Sequence, residues 1–340
     1  IYVGRIPTDV SSRITYALNK ISAFEQDTGT WKDNALHAGS ILFFANQDNS
    51  GYPKVDGAVY MDYIENEFMT GWTVDHFSEQ QGLEISDYDW TPISEIAFTD
   101  AWRNGQYSIV NWAGHGSATS AARSVWSWDD GDSIPESPEI TMPRIISTTS
   151  SLDDDYPSII FALSCLVGFP EANSYGRLGV DLLTKPLFGS STGVLSAARG
   201  AAVSGDWPSY PGGAGQYMYD IDRLMIDDYC NVGIALYDAK YHAHSNYGWA
   251  NTYWEYKNLF DYNLYGDPSL VREGISGGRI QSSLNIVTPR VPSVDGDIIF
   301  DLRVANRGTE TFSNGIFAEL YPIIGDCANG TPFDFNLKKH

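Results

Sequence analysis

The chain has 340 residues, roughly two domains' worth, and 43 acidic against 21 basic residues leave it at net charge −22. An acidic surface of that size repels phosphate, so nucleic acid and anionic membrane are poor partners. An apolar content of 43% excludes a disordered chain. No apolar run is long enough for a membrane span. Three cysteines, Cys165, Cys230 and Cys327, are too few and too scattered for a disulfide framework or a zinc ribbon. No signal peptide is visible, and the chain opens at Ile1 on a strand-like segment, which reads as a piece of a longer chain processed upstream. Abundant Trp, Tyr, Asp, Ser, Thr and Asn with few Lys lean towards a secreted or cell-surface protein.

In chain order, Val10, Ile14, Leu18, Ile21 and Phe24 share one helical face, with Thr8 or Asp9 as the cap. Ile41–Ala45 is a short apolar run of the kind buried on both faces of a sheet. Residues 57–69 read as helix and Thr73–Phe77 as a short strand. Thr91-Pro92 is a cap-plus-first-turn signal for a helix running to Arg103. Three further apolar runs, Tyr107–Trp112, Ser158–Leu163 and Thr192–Ala198, read as buried strands. Strands alternating with helices predict an α/β fold with a mostly parallel sheet flanked by helices.

Residues 128–157 show no period and read as a long surface loop. Two acidic clusters sit there, Asp129-Asp130-Asp132 and Asp153-Asp154-Asp155. If any metal binds, structural calcium is the expectation, since it takes several hard oxygens. No cofactor is required for chemistry. Composition changes after Gly274. Beyond the Ser276-Gly277-Gly278 linker, short alternating strands suggest the start of a small β-sandwich of immunoglobulin type, incomplete at this length. The domains are therefore 1–274 and 275–340.

Two of the apolar strands run straight into reactive residues. Ile109–Gly114 leads into His115-Gly116, and Ile159–Ser164 leads into Cys165. Loops at the carboxyl ends of parallel strands line the ligand crevice, so neighbouring strands would present both side chains at one edge. A thiol becomes a useful nucleophile beside an imidazole. Gly114 and Gly116 clear side chains from around that imidazole and expose N–H groups which, with that of Cys165, can stabilise an oxyanion. A metal mechanism has little support. His242 and His244 diverge on a helix, and no HExxH is present.

The segments NWAGHGS at 111–117 and ALSCLVG at 162–168 resemble the gingipain-like cysteine peptidases, family C25 of the caspase-like clan. VGRIP at 3–7, GVLSAARGAAVSGDW at 193–207 and LYGDPSL at 264–270 resemble other blocks of that family in the same order, covering residues 1–272. The resemblance implies a caspase-like catalytic domain followed by an immunoglobulin-like one. It implies Cys165 as nucleophile, His115 as general base and acid, and Gly116 and Cys165 N–H groups as the oxyanion hole. It further implies an acid near the histidine, for which Asp48 is the candidate, and an Asp that reads basic substrates, for which Asp56 is the candidate and Asp62 its rival. Trp207 becomes a candidate wall of the substrate pocket. The activity implied is a secreted endopeptidase acting on protein or peptide through a thioester, with cleavage after Arg or Lys. An upstream subdomain or propeptide would complete it. The alternatives are a sortase-like transpeptidase of the same family and a non-catalytic surface binding module on a peptidase fold.

Overall fold

The computed structural model describes residues 2–171, 176–205, 207–209, 212–246, 253–273, 280–286 and 300–306. The chain divides into two compact units, Ile1–Gly274 and Ile275–His340. In the second unit the described residues are two strands, Ile280–Ile286 and Phe300–Asn306, paired antiparallel. The remainder of the expected immunoglobulin-like domain lies outside the described residues. No described helix is long and apolar enough to cross a membrane.

In the first unit the elements that matter run in order. They are α1 (Ser11–Gln26), β1 (Asn34–Gly39), β2 (Ile41–Phe43), β3 (Val55–Asp56), α2 (Ala58–Phe68), β4 (Thr73–Ser78), β5 (Thr91–Pro92) and α3 (Glu95–Asn104). Next come β6 (Ile109–Ala113), β7 (His115–Gly116), β8 (Ser120–Ala122), β9 (Val125–Trp126), β10 (Ile140–Thr141), β11 (Arg144–Ser147) and β12 (Ser158–Leu163). The unit closes with α4 (Leu178–Thr184), β13 (Ser191–Ala197), α5 (Gly213–Ile226), α6 (Val232–Asn246), α7 (Tyr253–Asp261) and β14 (Tyr262–Gly266).

Seven strands form one sheet in the order β14-β13-β12-β6-β1-β4-β5, parallel throughout except for β14. This is the expected α/β architecture. Every residue of β6, β12 and β13 is buried, as a parallel sheet covered on both faces requires. The period-2 alternation assigns the two faces. Trp112 packs against Phe98 and Trp102 of α3, while Asn111, one residue back, donates to Asp222 of α5. His37, Asn111 and Phe161 stand in register across β1, β6 and β12 and share the α5 face.

Several local expectations are corrected. No side chain caps α1. Its N-cap is Val10, whose N–H instead donates to Thr8 Oγ1 at 3.2 Å, and Val10 and Leu18 are exposed. The buried face is Ala17, Lys20, Ile21 and Phe24. Burial pushes the Lys20 ammonium down to about 7, and the group donates to the carbonyls of Leu183 and Gly189 at the end of the α4 region. The apolar run at 41–45 is no central strand. β1 takes that place, and β2 folds back as a small hairpin with β3. Thr91-Pro92 is the edge strand β5, and the helix begins three residues later, where the Ser94 side chain accepts from the Ala97 N–H at 3.1 Å. The supposed loop 128–157 contains β10 and β11, and β11 is buried against β8.

Among the described residues, one group bears on the calcium expectation. Carboxylate oxygens of Asp129, Asp130 and Glu139 come within 4.8 Å of one another. The Glu139 oxygens also accept N–H bonds, from Asp130, Trp126 and Glu136. In the other cluster, Asp154 accepts from the Tyr16 hydroxyl and Asp153 from the Asp155 N–H.

Asp222 sets a pH dependence. Burial pushes its carboxyl up to about 7, against the pull of its hydrogen bond from Asn111. The folded value exceeds that of the unfolded chain, so the stability it contributes is full at low pH and is lost as pH rises through 7. Asp222→Asn removes that loss. Urea midpoints are therefore expected to shift in favour of the variant between pH 4 and pH 7, and parallel curves for the two proteins would refute this.

Candidate active site

Residues one step beyond β6 and β12 keep the strand register. The Gly114 N–H donates to the Leu163 carbonyl at 3.0 Å, which continues the pairing of Ala113 with Leu163. His115 and Cys165 thus leave neighbouring strands at the same level of the sheet. A Cβ on Gly116 would overlap the Cys165 carbonyl oxygen, and one on Gly114 would lie 2.6 Å from the Ala122 carbonyl oxygen. Gly116 allows the His115 and Cys165 chains to approach, and Gly114 allows its chain to approach Ala122 of β8. Leu166, just after the cysteine, turns the chain in the left-handed region at φ 59°. That conformation costs energy for a non-glycine residue, and the Leu166 N–H bond to the Arg199 carbonyl at 2.9 Å holds it.

The cysteine meets backbone. The Ala201 N–H donates to Cys165 Sγ at 3.2 Å, and the Ala201 carbonyl lies 3.6 Å from the same sulfur. The Cys165 N–H has no acceptor among the described residues. Asn258, fully buried on α7, clamps the next residue. Its Oδ1 accepts from the Ala202 N–H at 2.9 Å and its Nδ2 donates to the Ala202 carbonyl at 2.8 Å. That amide therefore holds the sulfur's donor in place. Asn258→Ala is expected to lower the rate of Cys165 alkylation by iodoacetamide by about tenfold near neutral pH, the effect of losing about one hydrogen bond to a charged sulfur. An unchanged alkylation rate in the folded variant would show that the clamp matters only to folding.

The histidine also meets backbone. His115 Nε2 lies 3.0 Å from the Leu42 carbonyl oxygen. A carbonyl only accepts, so Nε2 carries the proton and Nδ1 is left as the base. Burial pushes the imidazole below its ordinary pKa, and the Leu42 bond acts weakly the other way. The ring is therefore neutral at pH 7. Phe43 stands edge-on to it, with centroids 6.1 Å apart. His115 and Cys165 line one cleft of about 630 Å³, together with Leu163 and Ala201–Val203.

A family model of peptidase family C25 matches residues 1–272. The chain belongs to peptidase family C25. The fold is shared with solved protease structures. The crystal structure of the Arg-specific cysteine proteinase gingipain R aligns over 84% of this chain and 58% of its own, at TM-score 0.56 and 16% identity. The complex of the pro- and mature domains of RgpB from Porphyromonas gingivalis aligns over 84% and 60%, at TM-score 0.55 and 17% identity. A third structure, titled only as a protease, aligns over 83% and 58%, at TM-score 0.51 and 15% identity. This C25 chain therefore spans less than two thirds of the length of each. No curated protein sequence matches it.

Three residues expected at the site of this C25 chain do other things. Asp48 lines the cleft but does not bond His115. Its two oxygens accept from the Ser137 N–H at 2.8 Å and the Ser137 hydroxyl at 2.7 Å, which holds its carboxyl below the ordinary range. Asp56 does not reach the cleft. It is buried, and its oxygens take the Ser86 hydroxyl at 2.6 Å, the Asp87 N–H at 2.9 Å and the Ala58 N–H at 3.0 Å. It thereby fixes β3 and the start of α2, and through the hairpin it supports β2, whose Leu42 carbonyl orients His115. Trp207 is not among the residues that line this cleft. It packs among Tyr60, Tyr63 and Tyr219, and its indole N–H donates to Gln216 at 2.8 Å. The sequence reading missed the Leu42 carbonyl, the Ala201 N–H and Asn258. The first two are backbone groups with no residue signature, and a lone Asn in a helix carries none.

Proposed function

We propose that this chain hydrolyses peptide bonds through a Cys165–His115 dyad. One observation carries this reading. Two adjacent, register-matched strands deliver a thiol and a neutral imidazole, its Nε2 proton committed to Leu42, into one open cleft. His115 Nδ1 takes the Cys165 proton, and the thiolate attacks the scissile carbonyl carbon. The oxyanion is received by the Cys165 N–H and, beside it, the Gly116 N–H. The protonated Nδ1 then gives its proton to the leaving amine, the C–N bond breaks, and a thioester to Cys165 remains. Water, deprotonated by the same nitrogen, attacks the thioester. The acid product leaves, and the proton returns to the sulfur. The Ala201 N–H at 3.2 Å supports the thiolate throughout.

The setting we propose is extracellular, on protein or peptide substrates, with further segments of a longer chain completing the enzyme. An unfolded protein substrate tests the chemistry. Cleavage should stop when Cys165 is alkylated and should be indifferent to EDTA. A rate unchanged by complete alkylation of Cys165 would overturn the dyad. If an added amine acceptor is recovered in the product, the thioester is being passed on, and the reaction is transpeptidation.

A further inference from the structure

We infer that the cleft beside Cys165 selects substrates by an apolar, uncharged side chain on the residue preceding the scissile bond. This rests on the proposed peptidase reading, because that residue's acyl group is the one joined to Cys165 Sγ and must stay seated through both half-reactions. The side chains around the nucleophile set the preference. The lining includes Phe43 and Tyr52, 45% and 72% exposed, together with Pro53, Val55 and Val203. Phe43 and Tyr52 are large apolar surfaces left open to water at the mouth of a cavity, and a substrate side chain that covers them is stabilised by the area removed from solvent.

Charge in the cleft points the same way. Among the described residues of the lining, Asp48 is the one carboxylate. It is exposed at the rim, and both its oxygens are held by Ser137. Asp56 spends its oxygens on Ser86, Asp87 and Ala58, outside the cleft. A guanidinium or ammonium entering here loses water and meets no buried carboxylate among the described residues of the lining, which is unfavourable. A carboxylate side chain fares no better, since the one basic group in the lining, His115, is held neutral. The net charge of −22 still draws basic proteins to the surface, but that long-range attraction does not select the residue at the cut.

The test uses one peptide sequence with Phe, Leu, Ala, Arg, Lys or Asp before the cut, read in two ways. On the wild-type protein, kcat/KM for Phe and Leu is expected to exceed that for Arg and Lys at least tenfold, and Tyr52→Ala to shrink the Phe-to-Arg ratio at least threefold. On Cys165→Ala, fluorescence anisotropy of the same labelled peptides should give the same order of affinity without any reaction. Arg or Lys equal to or better than Phe in both readouts overturns the inference, and cleavage in that case leaves the peptidase reading standing. If no peptide is cleaved but the Phe peptide binds Cys165→Ala at least tenfold tighter than the Arg peptide, the cleft assignment stands and the peptidase reading falls. No cleavage and no discrimination in binding sinks both.

Discussion

Cys165→Ala should abolish peptide cleavage, with kcat/KM falling on the order of 10⁴-fold or more, while the fold persists. The size of the loss follows from removing the atom that forms the covalent intermediate. The fold should survive because the sulfur's own contacts are few: one N–H and one carbonyl, both of Ala201. The strand that carries it, β12, is buried along its whole length and keeps its pairing with β6 and β13. His115→Ala should cost a similar factor. The double variant should be little worse than either single one, since two members of a proton-transfer unit fail together. The pH profile adds a second readout. His115 must be neutral to accept the thiol proton, and burial lowers its pKa. The acid limb of kcat/KM is therefore expected below the pH at which an ordinary imidazole titrates. Cleavage by Cys165→Ala at the wild-type rate would end the assignment, and near-UV circular dichroism on the same sample would show that the fold was intact.

Arg123→Ala should cost about 3–5 kcal/mol of stability, the usual penalty for breaking a buried ion pair from one side. Arg123 Nη1 donates to Glu79 Oε1 at 2.6 Å and Nη2 to Gln81 Oε1 at 2.7 Å, and both ions are nearly inaccessible to water. Burial pushes the Glu79 carboxyl above its ordinary pKa, and Arg123 is the main influence pulling it back. Without Arg123 the carboxylate is left charged and unpaired in the interior, or it protonates. At roughly 2–4 °C per kcal/mol for a unit of this size, melting should fall by about 6–20 °C near neutral pH. The deficit should narrow as pH falls, because protonating Glu79 removes the unpaired charge. Replacing both partners together, as Arg123→Met with Glu79→Leu, should recover most of the loss. A single variant that melts within a degree of wild type would show that water reaches the pair. The same pair supports the candidate site at a distance. The segment that begins at Glu79 includes Ser86 and Asp87, whose donors hold Asp56 beneath the β2–β3 hairpin.

The sheet and the placement of His115 and Cys165 on one cleft were legible in the sequence because their physical causes are local. A strand buried on both faces must be an unbroken apolar run, and Ile109–Ala113 and Ser158–Leu163 are such runs, ending in His-Gly and Cys. The glycine at 116 follows from the close approach of the chains that carry His115 and Cys165, and the glycine at 114 from the approach of its chain to Ala122. β1 was hidden because Asn34–Gly39 carries His37 inside it, a polar residue that interrupts the run. The interior tolerates that imidazole only by keeping it neutral, with burial pushing it down to about 3. The carboxylates were not legible at all. Asp56 looks the same in sequence whether it reads a substrate or anchors a hairpin, and only the donors around it, brought from residues 58, 86 and 87, decide between the two. The groups that orient the dyad were beyond the reach of the sequence for a more general reason. The Leu42 carbonyl and the Ala201 N–H are backbone atoms that every non-proline residue supplies. Their role comes from where tertiary packing sets them, beside His115 Nε2 and Cys165 Sγ.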